Sequence, residues 1–357
     1  MVIRSVKISG VKKVAKVWQV IVAGLLLCAF VPSVRATVGV SLQMQLGNPS
    51  NATADTNNQN HYLIQRTVEA LDYNNNLREP NWASWDLTTD DVGSSGRSSF
   101  LQDSTLPGNF YWVKATDYSG SGYDRGHMCP SGDRTVSTAV NDLVFYMSNI
   151  IPQTPDNNQG VWASLETYCR TLASSGNELL IICGPSGFGT NQINAAGLVY
   201  IPSNVWKIVV VVTNGTGTAV SRINTSTRVI AVNIPNIAGI RSAPWTNYLV
   251  TVNQLQTNTG FNFFTSLPSY TASVLRAKID GQPIPVISPP IFGGLTNTHS
   301  LVLSWPSAAS GFFLQQNVSL NTTNWTTYGG TITTNGDTLT VVTPASSGNN
   351  FFRLKHP

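Results

Sequence analysis

Charged side chains are scarce in this sequence, since Asp, Glu, Lys and Arg make up only 11% of its 357 residues. Cysteine is rare too, and beyond residue 36 only Cys129, Cys169 and Cys183 remain. An odd number of cysteines excludes a fully paired disulfide framework and leaves at least one thiol unpaired. A bridge between Cys169 and Cys183 would join a predicted helix to a predicted strand. No Cys-x-x-Cys or His/Cys spacing indicates a zinc site.

Long apolar runs are also missing, apart from the first 36 residues. That segment has basic residues from Arg4 to Lys16, an apolar run Val20–Val31 and a small-residue cleavage site at Val34-Arg35-Ala36. This order predicts a signal peptide over residues 1–36 and a secreted or periplasmic protein. A membrane anchor is the alternative, but the apolar run is shorter than the roughly 20 residues that a spanning helix needs. We therefore expect no stable membrane insertion after cleavage.

The excess of positive charge belongs to the same segment. The whole chain has a formal net charge of +4, and residues 1–36 contain six Lys or Arg and no Asp or Glu. Removal of these six positive charges leaves a net charge of −2. Binding to a polyanion would therefore depend on a local cluster of arginines and not on the field of the whole protein.

The stretch Tyr123-Asp124-Arg125-Gly126-His127-Met128-Cys129-Pro130 has the residues for acid–base chemistry. The imidazole of His127 has an ordinary pKa of about 6.5, which suits it to take a proton from water. In a strand, Arg125 would lie on the same face as His127. Gly126 has no side chain, and we expect it to leave room for a close approach of substrate.

A second stretch, downstream, adds a metal ligand and more charge. The amide oxygen of Asn158 is a hard, neutral ligand that suits Mg²⁺, an ion that keeps most of its waters. Glu166 follows eight residues later and Arg170 four residues after that, so a helix would present all three on one broad face. A base, a hard ligand, a carboxylate and guanidinium groups are the components of metal-assisted phosphodiester cleavage.

Each of these residues also has a simpler interpretation. His127 could be a hydrogen-bonded structural residue in a turn, and Asn158 could be a helix N-cap. Glu166 and Arg170 could form a surface ion pair worth a few tenths of a kcal/mol. Asp124 is better explained as a turn former than as an acid or base. No Gly-x-Ser-x-Gly sequence accompanies His127, which disfavours a serine hydrolase.

The two stretches resemble one known family. Three runs are similar to motifs of the DNA/RNA non-specific endonucleases, the ββα-metal enzymes that include secreted bacterial nucleases and mitochondrial endonuclease G: Asp124-Arg125-Gly126-His127, Ser148-Asn149-Ile150-Ile151-Pro152-Gln153 and Asn158-Gln159-Gly160-Val161-Trp162-Ala163-Ser164-Leu165-Glu166. The resemblance spans most of residues 45–270. The four-residue motif alone is weakly specific, whereas the three runs at this spacing are strongly specific.

The resemblance implies roles for individual residues. His127 would be the general base, and Asn158 the only direct protein ligand of Mg²⁺, for which Mn²⁺ would be a substitute. Glu166 would orient metal-bound water. Arg125 and Arg170 would bind and polarise the scissile phosphate. Arg97 falls where the family has another phosphate-binding arginine, although little sequence signature surrounds it.

The function that follows is that of an exported, Mg²⁺-dependent endonuclease. It would hydrolyse DNA and RNA with little sequence preference and leave 5′-phosphate ends, a polarity that only the resemblance implies. The alternative is a non-catalytic protein that binds nucleic acid or a cell surface through a degenerate nuclease fold. A decayed site has no chemical reason to keep the imidazole, amide, carboxylate and arginines together, which argues against that alternative.

The pattern of elements predicts an α+β fold with an antiparallel-rich central sheet flanked by helices. We expect strands at Asn60–Tyr73, Trp82–Leu87, Leu143–Ile151, Glu178–Cys183, Val199–Pro202, Trp206–Thr213 and Arg228–Ile234, and helices from Asp156 or Asn157 to Ala173 and over Thr246–Asn258, the latter closed by Gly260. A polar stretch over Asp90–Asp117 would form a substrate-facing loop that contains Arg97.

Composition shifts near residue 280. We expect an endonuclease domain over residues 37–280, a Pro-rich linker over 281–290 and a small β-sandwich module over 291–357. The module is predicted from short β-prone runs separated by Gly, Asn and Ser. Binding to a cell surface or a glycan and a passive stabilising role are equally compatible with its sequence.

Overall fold

A computed structural model describes residues 3–4, 42–193, 199–296, 300–309, 311–345 and 349–356. Apart from Ile3 and Arg4, the predicted signal peptide lies outside the described residues. The chain divides into two compact units, one of Val40–Pro285 and the other of Met1–Gly39 with Val286–Pro357. Within the described part of the chain, no helix is long and apolar enough to cross a membrane.

Strands dominate both units. In chain order they are β1 Ile3–Arg4, β2 Tyr62–Gln65, β3 Ala70–Asn74, β4 Glu79–Leu87, β5 Asp124–His127, β6 Ile150–Gln153, β7 Asn177–Ile193, β8 Val199–Thr213, β9 Arg228–Pro235, β10 Phe292–Leu295, β11 Ser300–Pro306, β12 Phe313–Asn317, β13 Thr326–Thr327, β14 Thr333–Asn335, β15 Thr338–Pro344 and β16 Phe351–Lys355. The α-helices are α1 Thr138–Val144, α2 Ala163–Ser174, α3 Ala219–Arg222, α4 Val252–Thr259 and α5 Ser269–Ala277.

The larger unit is built on a six-stranded sheet with the order β2-β3-β4-β7-β8-β9, antiparallel throughout. Side chains alternate between its two faces, as the period of a strand requires. In β7, Leu179 and Ile181 belong to one apolar cluster, and Leu180 and Ile182 belong to another. The sheet is therefore buried on both sides, which explains the continuous apolar runs in its central strands.

One face of the sheet is covered by a ββα unit. Strands β5 and β6 form an antiparallel pair in which His127 lies opposite Ile150, and α2 follows β6 after a short connection. Trp162 and Leu165 are fully buried in the apolar cluster of this face. The opposite face is covered by residues of α4 and α5. The α+β class with a large antiparallel sheet and a ββα core is confirmed.

The connection between β6 and α2 is irregular. Residues Asn157–Trp162 form a π-helical turn, and Gly160 within it has non-helical dihedral angles of −110° and −105°. The predicted helix start at Asp156 or Asn157 is thus a π-helical turn, and Asp156 makes no capping hydrogen bond. Its carboxylate accepts instead from Gly239 N–H at 2.7 Å and from Arg241 Nε at 3.0 Å. The turn also packs closely against that segment, since a Cβ at Gly160 would lie 2.4 Å from the backbone oxygen of Arg241.

Two of the predicted strands are wrong in detail. The stretch 60–73 contains a hairpin of β2 and β3, closed by a turn in which the Arg66 N–H donates to the Glu69 oxygen at 2.8 Å. The stretch 143–151 contains the end of α1, a 3₁₀ turn over Met147–Asn149 and only then β6. Apolar residues without clear alternation fit either a buried helix end or a strand, and here tertiary packing decides.

Other expectations also need correction. The stretches 199–202 and 206–213 form one strand, β8. The predicted helix at 246–258 is a 3₁₀ turn, Trp245–Tyr248, followed by α4, which begins after a capping box at Thr251 and ends at the left-handed Gly260. Cys169 and Cys183 are not bridged: both thiols are free and buried, and burial raises the pKa of each to about 12.

The smaller unit contains two four-stranded antiparallel sheets. One has the order β1-β16-β12-β13 and the other the order β10-β11-β15-β14. Both sheets contribute buried apolar side chains, including Trp305 and Val341 from one and Leu314 and Phe352 from the other. This arrangement is typical of a small β-sandwich. The separation into enzyme domain, linker and accessory module stays a prediction.

The packing of α2 on the sheet is testable by truncation of its buried face. Leu165→Ala removes a fully buried side chain, and we expect it to lower the free energy of unfolding by about 2–5 kcal/mol. The neighbouring Ser164 is exposed, and Ser164→Ala should change stability by less than about 0.5 kcal/mol. Urea denaturation followed by circular dichroism measures both, and equal effects would contradict this account of the helix.

Candidate active site

All six residues predicted for the site lie around one cleft of about 530 Å³. The cleft is bordered by β5, the π-helical turn, the first turns of α2 and the irregular segment 92–114. The six are Arg97, Arg125, His127, Asn158, Glu166 and Arg170, and three unpredicted neighbours, Phe100, Asp124 and Gln159, line it with them. Residues far apart in sequence thus meet because the ββα unit and the long loop face each other.

His127 is held in an apolar, positively charged environment. Its ring lies 4.7 Å from Phe145 and 5.2 Å from Phe100, and only 7% of the residue is exposed. Burial, and then the positive charge of Arg97, lowers the pKa of His127 to about 3. The imidazole is therefore neutral at physiological pH. Its Nε2 has no hydrogen-bond partner among the described residues, so a lone pair or proton at that atom is available to a ligand.

Two of the arginines lie over the aromatic rings that flank His127. The Arg97 guanidinium lies 5.1 Å from the centre of the Phe145 ring, and that of Arg125 lies 4.8 Å from the Phe100 ring. Both arginines are exposed at the cleft. A cation over an aromatic face is weakly attracted to it, which favours one position of a long, mobile side chain without neutralising its charge. Phe100 and Phe145 thus support the histidine and the two guanidinium groups together.

Asn158 has a fixed orientation. Its Nδ2 donates to Asp124 Oδ2 at 2.9 Å, and a carboxylate can only accept. The amide oxygen therefore points away from Asp124, and it makes no hydrogen bond with any described residue. Asp124 was predicted to be a turn former, whereas the structure has it as the acceptor that orients this amide. Its place in the Asp-Arg-Gly-His run was the available signal.

Gly126 has a different role from the one predicted. A Cβ at this position would lie 1.8 Å from Oε1 of Gln153, so the side chain of Gln153 occupies the space that we assigned to substrate. Gln153 is fully buried and donates through Nε2 to Asn157 at 2.9 Å. The glycine therefore permits close packing between β5 and β6.

Glu166 and Arg170 lie one turn apart on α2, but they do not form the simple surface ion pair considered above. Arg170 Nη1 pairs instead with Asp133 at 3.0 Å. Burial raises the pKa of the Glu166 carboxyl to about 7, and the positive charges of Lys207 and Arg170 oppose that rise. A carboxyl group in this condition is a ready acceptor or donor for a water molecule or an ion in the cleft.

Lys207 is a charged neighbour that sequence reasoning missed. It lies on β8 with only 1% of its surface exposed, and its Nζ is 4.1 Å from the Trp162 ring and 5.5 Å from the Trp85 ring. Burial would lower the pKa of Lys207, but Glu166 leads the groups that raise it above its usual value. Lys207 lies in an apolar strand pattern, and nothing in its sequence context indicated this role.

The donor set is that of a hard, hydrated cation. Within the described residues there is no cluster of three or more His, Cys, Asp or Glu side chains that could hold a metal ion. A zinc site of the usual kind is therefore not formed by this part of the chain. An amide oxygen of Asn158 without a partner among the described residues, in the same cleft as the carboxylate of Glu166, fits an ion that takes few protein ligands and retains its waters, as Mg²⁺ does.

Comparison with known proteins agrees with this geometry. Residues 47–270 match the DNA/RNA non-specific endonuclease family. The chain belongs to this family. A nuclease of Nostoc sp. is 40% identical to it over 250 residues, which cover 70% of this chain and 90% of that protein. The protein is therefore a hydrolytic nuclease, and its family generally depends on a divalent metal.

Other relatives are less similar and match a smaller share of this chain. Nuclease C1 of Cunninghamella echinulata var. echinulata is 29% identical over 249 residues, covering 66% of this chain and 92% of that protein. Human mitochondrial nuclease EXOG is 30% identical over 217 residues, covering 56% of each chain. A solved EndoG/EndoGI complex matches with a TM-score of 0.54 and 23% identity, covering 64% of this chain and 92% of that one, which supports the fold alone.

The buried state of His127 makes stability depend on pH. Between the lowered folded pKa of about 3 and an unfolded value of about 6.5, the unfolded chain binds more protons, so stability rises with pH. His127→Asn removes this dependence and leaves other titrating groups in place. We expect the difference in unfolding free energy between wild type and variant to rise with pH by about 1.4 kcal/mol per unit between pH 4 and 5.5, and to level off above about pH 6.5 as the unfolded imidazole loses its proton. Denaturant titrations measure it, and a constant difference would contradict the burial.

Proposed function

We propose that this nuclease is an exported, Mg²⁺-dependent endonuclease that cleaves DNA and RNA with little sequence preference. One observation carries the proposal: one cleft is lined by a neutral imidazole and an amide oxygen that lack hydrogen-bond partners among the described residues, together with a carboxylate and three arginines. Contacts from guanidinium groups to phosphate do not depend on sequence, which supports weak specificity.

His127 acts as the general base in this proposal. Its Nε2 accepts a proton from a water molecule, and the resulting hydroxide attacks phosphorus in line with the leaving oxygen. A base whose pKa is about 3 is weak, but an anionic phosphate would offset the positive charge of Arg97 and so raise the pKa. Phe100 and Phe145 keep the ring in place while this happens.

Asn158 would hold Mg²⁺ through its amide oxygen, and Mn²⁺ would substitute. The bound ion supplies neutralisation of charge on the phosphate and the leaving oxygen. Glu166 accepts hydrogen bonds from water at the site and orients it. Because the carboxyl pKa is raised to about 7 by burial, a nearby cation is expected to keep the group ionised.

Arg97, Arg125 and Arg170 bind the scissile phosphate. Arg97 and Arg125 keep unneutralised guanidinium groups over aromatic rings, whereas Arg170 is shared with Asp133. Arg170 is therefore the most fixed of the three, and the other two are free to move onto the substrate. Their positive charge stabilises the transition state more than the ground state, since the phosphorane carries an additional negative charge.

Export is proposed from the N-terminal segment. The apolar run and cleavage site precede residue 37, and the enzyme unit begins at Val40. Ile3 and Arg4, which cleavage would remove, pair with Phe352 and Phe351 at one sheet edge of the smaller unit. N-terminal sequencing of protein recovered outside the cytoplasm tests the proposal, and an intact Met1 or Val2 terminus would contradict it. Binding of the accessory module to a surface or glycan stays a prediction.

Activity should depend on His127 and on a divalent metal. We expect His127→Ala to lower the initial rate of plasmid nicking in Mg²⁺ by about 10²–10⁴-fold, the usual cost of losing a general base. His356→Ala, in the smaller unit, is the control and should retain full activity. Chelation by EDTA should abolish cleavage by the wild type. Full activity in EDTA, or an active His127→Ala, would contradict the mechanism.

The polarity of cleavage is separately testable. In-line attack with departure of the 3′ oxygen leaves 5′-phosphate and 3′-hydroxyl ends. After limited digestion with Mg²⁺ and repair of overhangs, the fragments should be joined by DNA ligase without prior treatment with a polynucleotide kinase. A requirement for the kinase would indicate the opposite polarity.

A further inference from the structure

A chain of hydrogen bonds links Asn158 to a residue more than 80 positions away. Asp124 Oδ2 accepts from Asn158 Nδ2 at 2.9 Å and from Gln159 Nε2 at 2.7 Å. Gln159 Oε1 in turn accepts from Arg241 Nη1 and Nη2 at 3.4 and 3.3 Å. Arg241 Nε donates to Asp156 at 3.0 Å. Arg241 is itself absent from the lining of the cleft.

The direction of each amide in this chain follows from the charged group beside it, Arg241 or Asp124. A guanidinium group only donates hydrogen bonds, so the side chain of Gln159 must present its oxygen to Arg241 and its nitrogen to Asp124. Asp124 only accepts, so Asn158 must also present its nitrogen to Asp124. The oxygen of Asn158 is thereby left for a ligand. Donor and acceptor roles alternate without conflict from Arg241 to Asn158.

The segment that contains Arg241 is tied closely to the turn that contains Asn158. Residues 235–241 exchange hydrogen bonds with residues 154–157: Thr154 N–H to Asn236 Oδ1 at 2.8 Å, Thr154 Oγ1 to Ile237 O at 3.0 Å, Asn157 Nδ2 to Pro235 O at 2.9 Å and Gly239 N–H to Asp156 Oδ2 at 2.7 Å. Gly160 permits this contact, since a Cβ there would lie 2.4 Å from Arg241 O.

We propose that Arg241 is a positioning residue that acts through Gln159 and Asp124 to aim the amide oxygen of Asn158 at the divalent metal. This inference rests on the proposed role of Asn158. Gln159 is exposed, and an exposed glutamine without a partner samples several rotamers. Arg241 restricts it to the one in which it donates to Asp124, and so keeps Asp124 in the position that holds Asn158.

The expected loss of metal affinity on mutation of Arg241 is limited, because the Arg241 side chain is partly exposed to solvent. Outer partners of metal ligands typically change metal affinity by about 10–100-fold when mutated. Arg241 is one step further out, and 47% of its side chain is exposed, so solvent competes for its hydrogen bonds. We therefore expect Arg241→Met to weaken binding of Mn²⁺ by roughly 3–10-fold, below the range for a direct outer partner.

Isothermal titration calorimetry of the purified protein with Mn²⁺, in the absence of nucleic acid, measures the metal affinity directly. Arg228→Met is the matched control, because Arg228 is also a half-exposed arginine paired with an aspartate, Asp280, and it does not line the cleft. Its metal affinity should stay within twofold of wild type. Thermal unfolding of each variant separates loss of metal binding from loss of the fold.

A second variant isolates the relay. Gln159→Met keeps the length of the side chain and adds no charge to the cleft, but it can neither accept from Arg241 nor donate to Asp124. It should therefore weaken Mn²⁺ binding at least as much as Arg241→Met. Combining the two substitutions should add little further loss, because both break one pathway. Losses that simply add, or a Gln159→Met variant with wild-type affinity, would overturn the relay.

Asn158→Ala distinguishes failure of the inference from failure of the proposed function. If it leaves Mn²⁺ affinity unchanged, the proposed metal ligand is wrong. If it abolishes binding while Arg241→Met and Gln159→Met stay within twofold of wild type, the relay is wrong and the ligand stands. A rise in KM for DNA with unchanged Mn²⁺ affinity in Arg241→Met would assign Arg241 to direct phosphate contact and would also overturn the relay.

Discussion

The apolar packing of the ββα unit on one face of the central sheet is the interaction on which the site depends. Trp162 and Leu165 of the α2 region, Ile151 of β6 and Met128, the residue after β5, are all fully buried in the cluster of that face. Polar cleft residues alternate with these positions along the same elements. Burial of the apolar set therefore determines where His127, Asn158 and Glu166 emerge, and the cleft is the exposed side of a well-packed core.

Desolvation then shifts the pKa values of the residues in the cleft. The same burial that orders the site lowers the pKa of His127 and raises that of Glu166, so both groups are held closer to neutrality than they would be in water. Lys207 lies behind the site and its charge opposes the effect on the carboxyl group. A cleft lined by three arginines and a neutral histidine attracts a polyanion without requiring a basic protein, which agrees with the low overall charge.

Sequence reasoning succeeded where local chemistry decides and failed where distant contacts decide. Alternation and apolar runs located the central strands, and Gly260 was recognised as a helix end because only a left-handed residue suits that position. The hairpin after Tyr62, the helical part of the stretch before Ile150 and the π-helical turn were missed. Gly160 is the clearest case, since its conformation results from the backbone of Arg241, which lies 81 positions later in the chain.

The sequence by itself determined the family, the fold class and six of the residues that line the cleft, because the residue types and spacing of the motifs are specific. Only the tertiary structure decided how those side chains are held. Gln153 fills the space over Gly126, Asp124 orients Asn158, and Arg241 reaches the same network from a distant loop. Such contacts join elements that are far apart in the sequence, so no local sequence pattern predicts them.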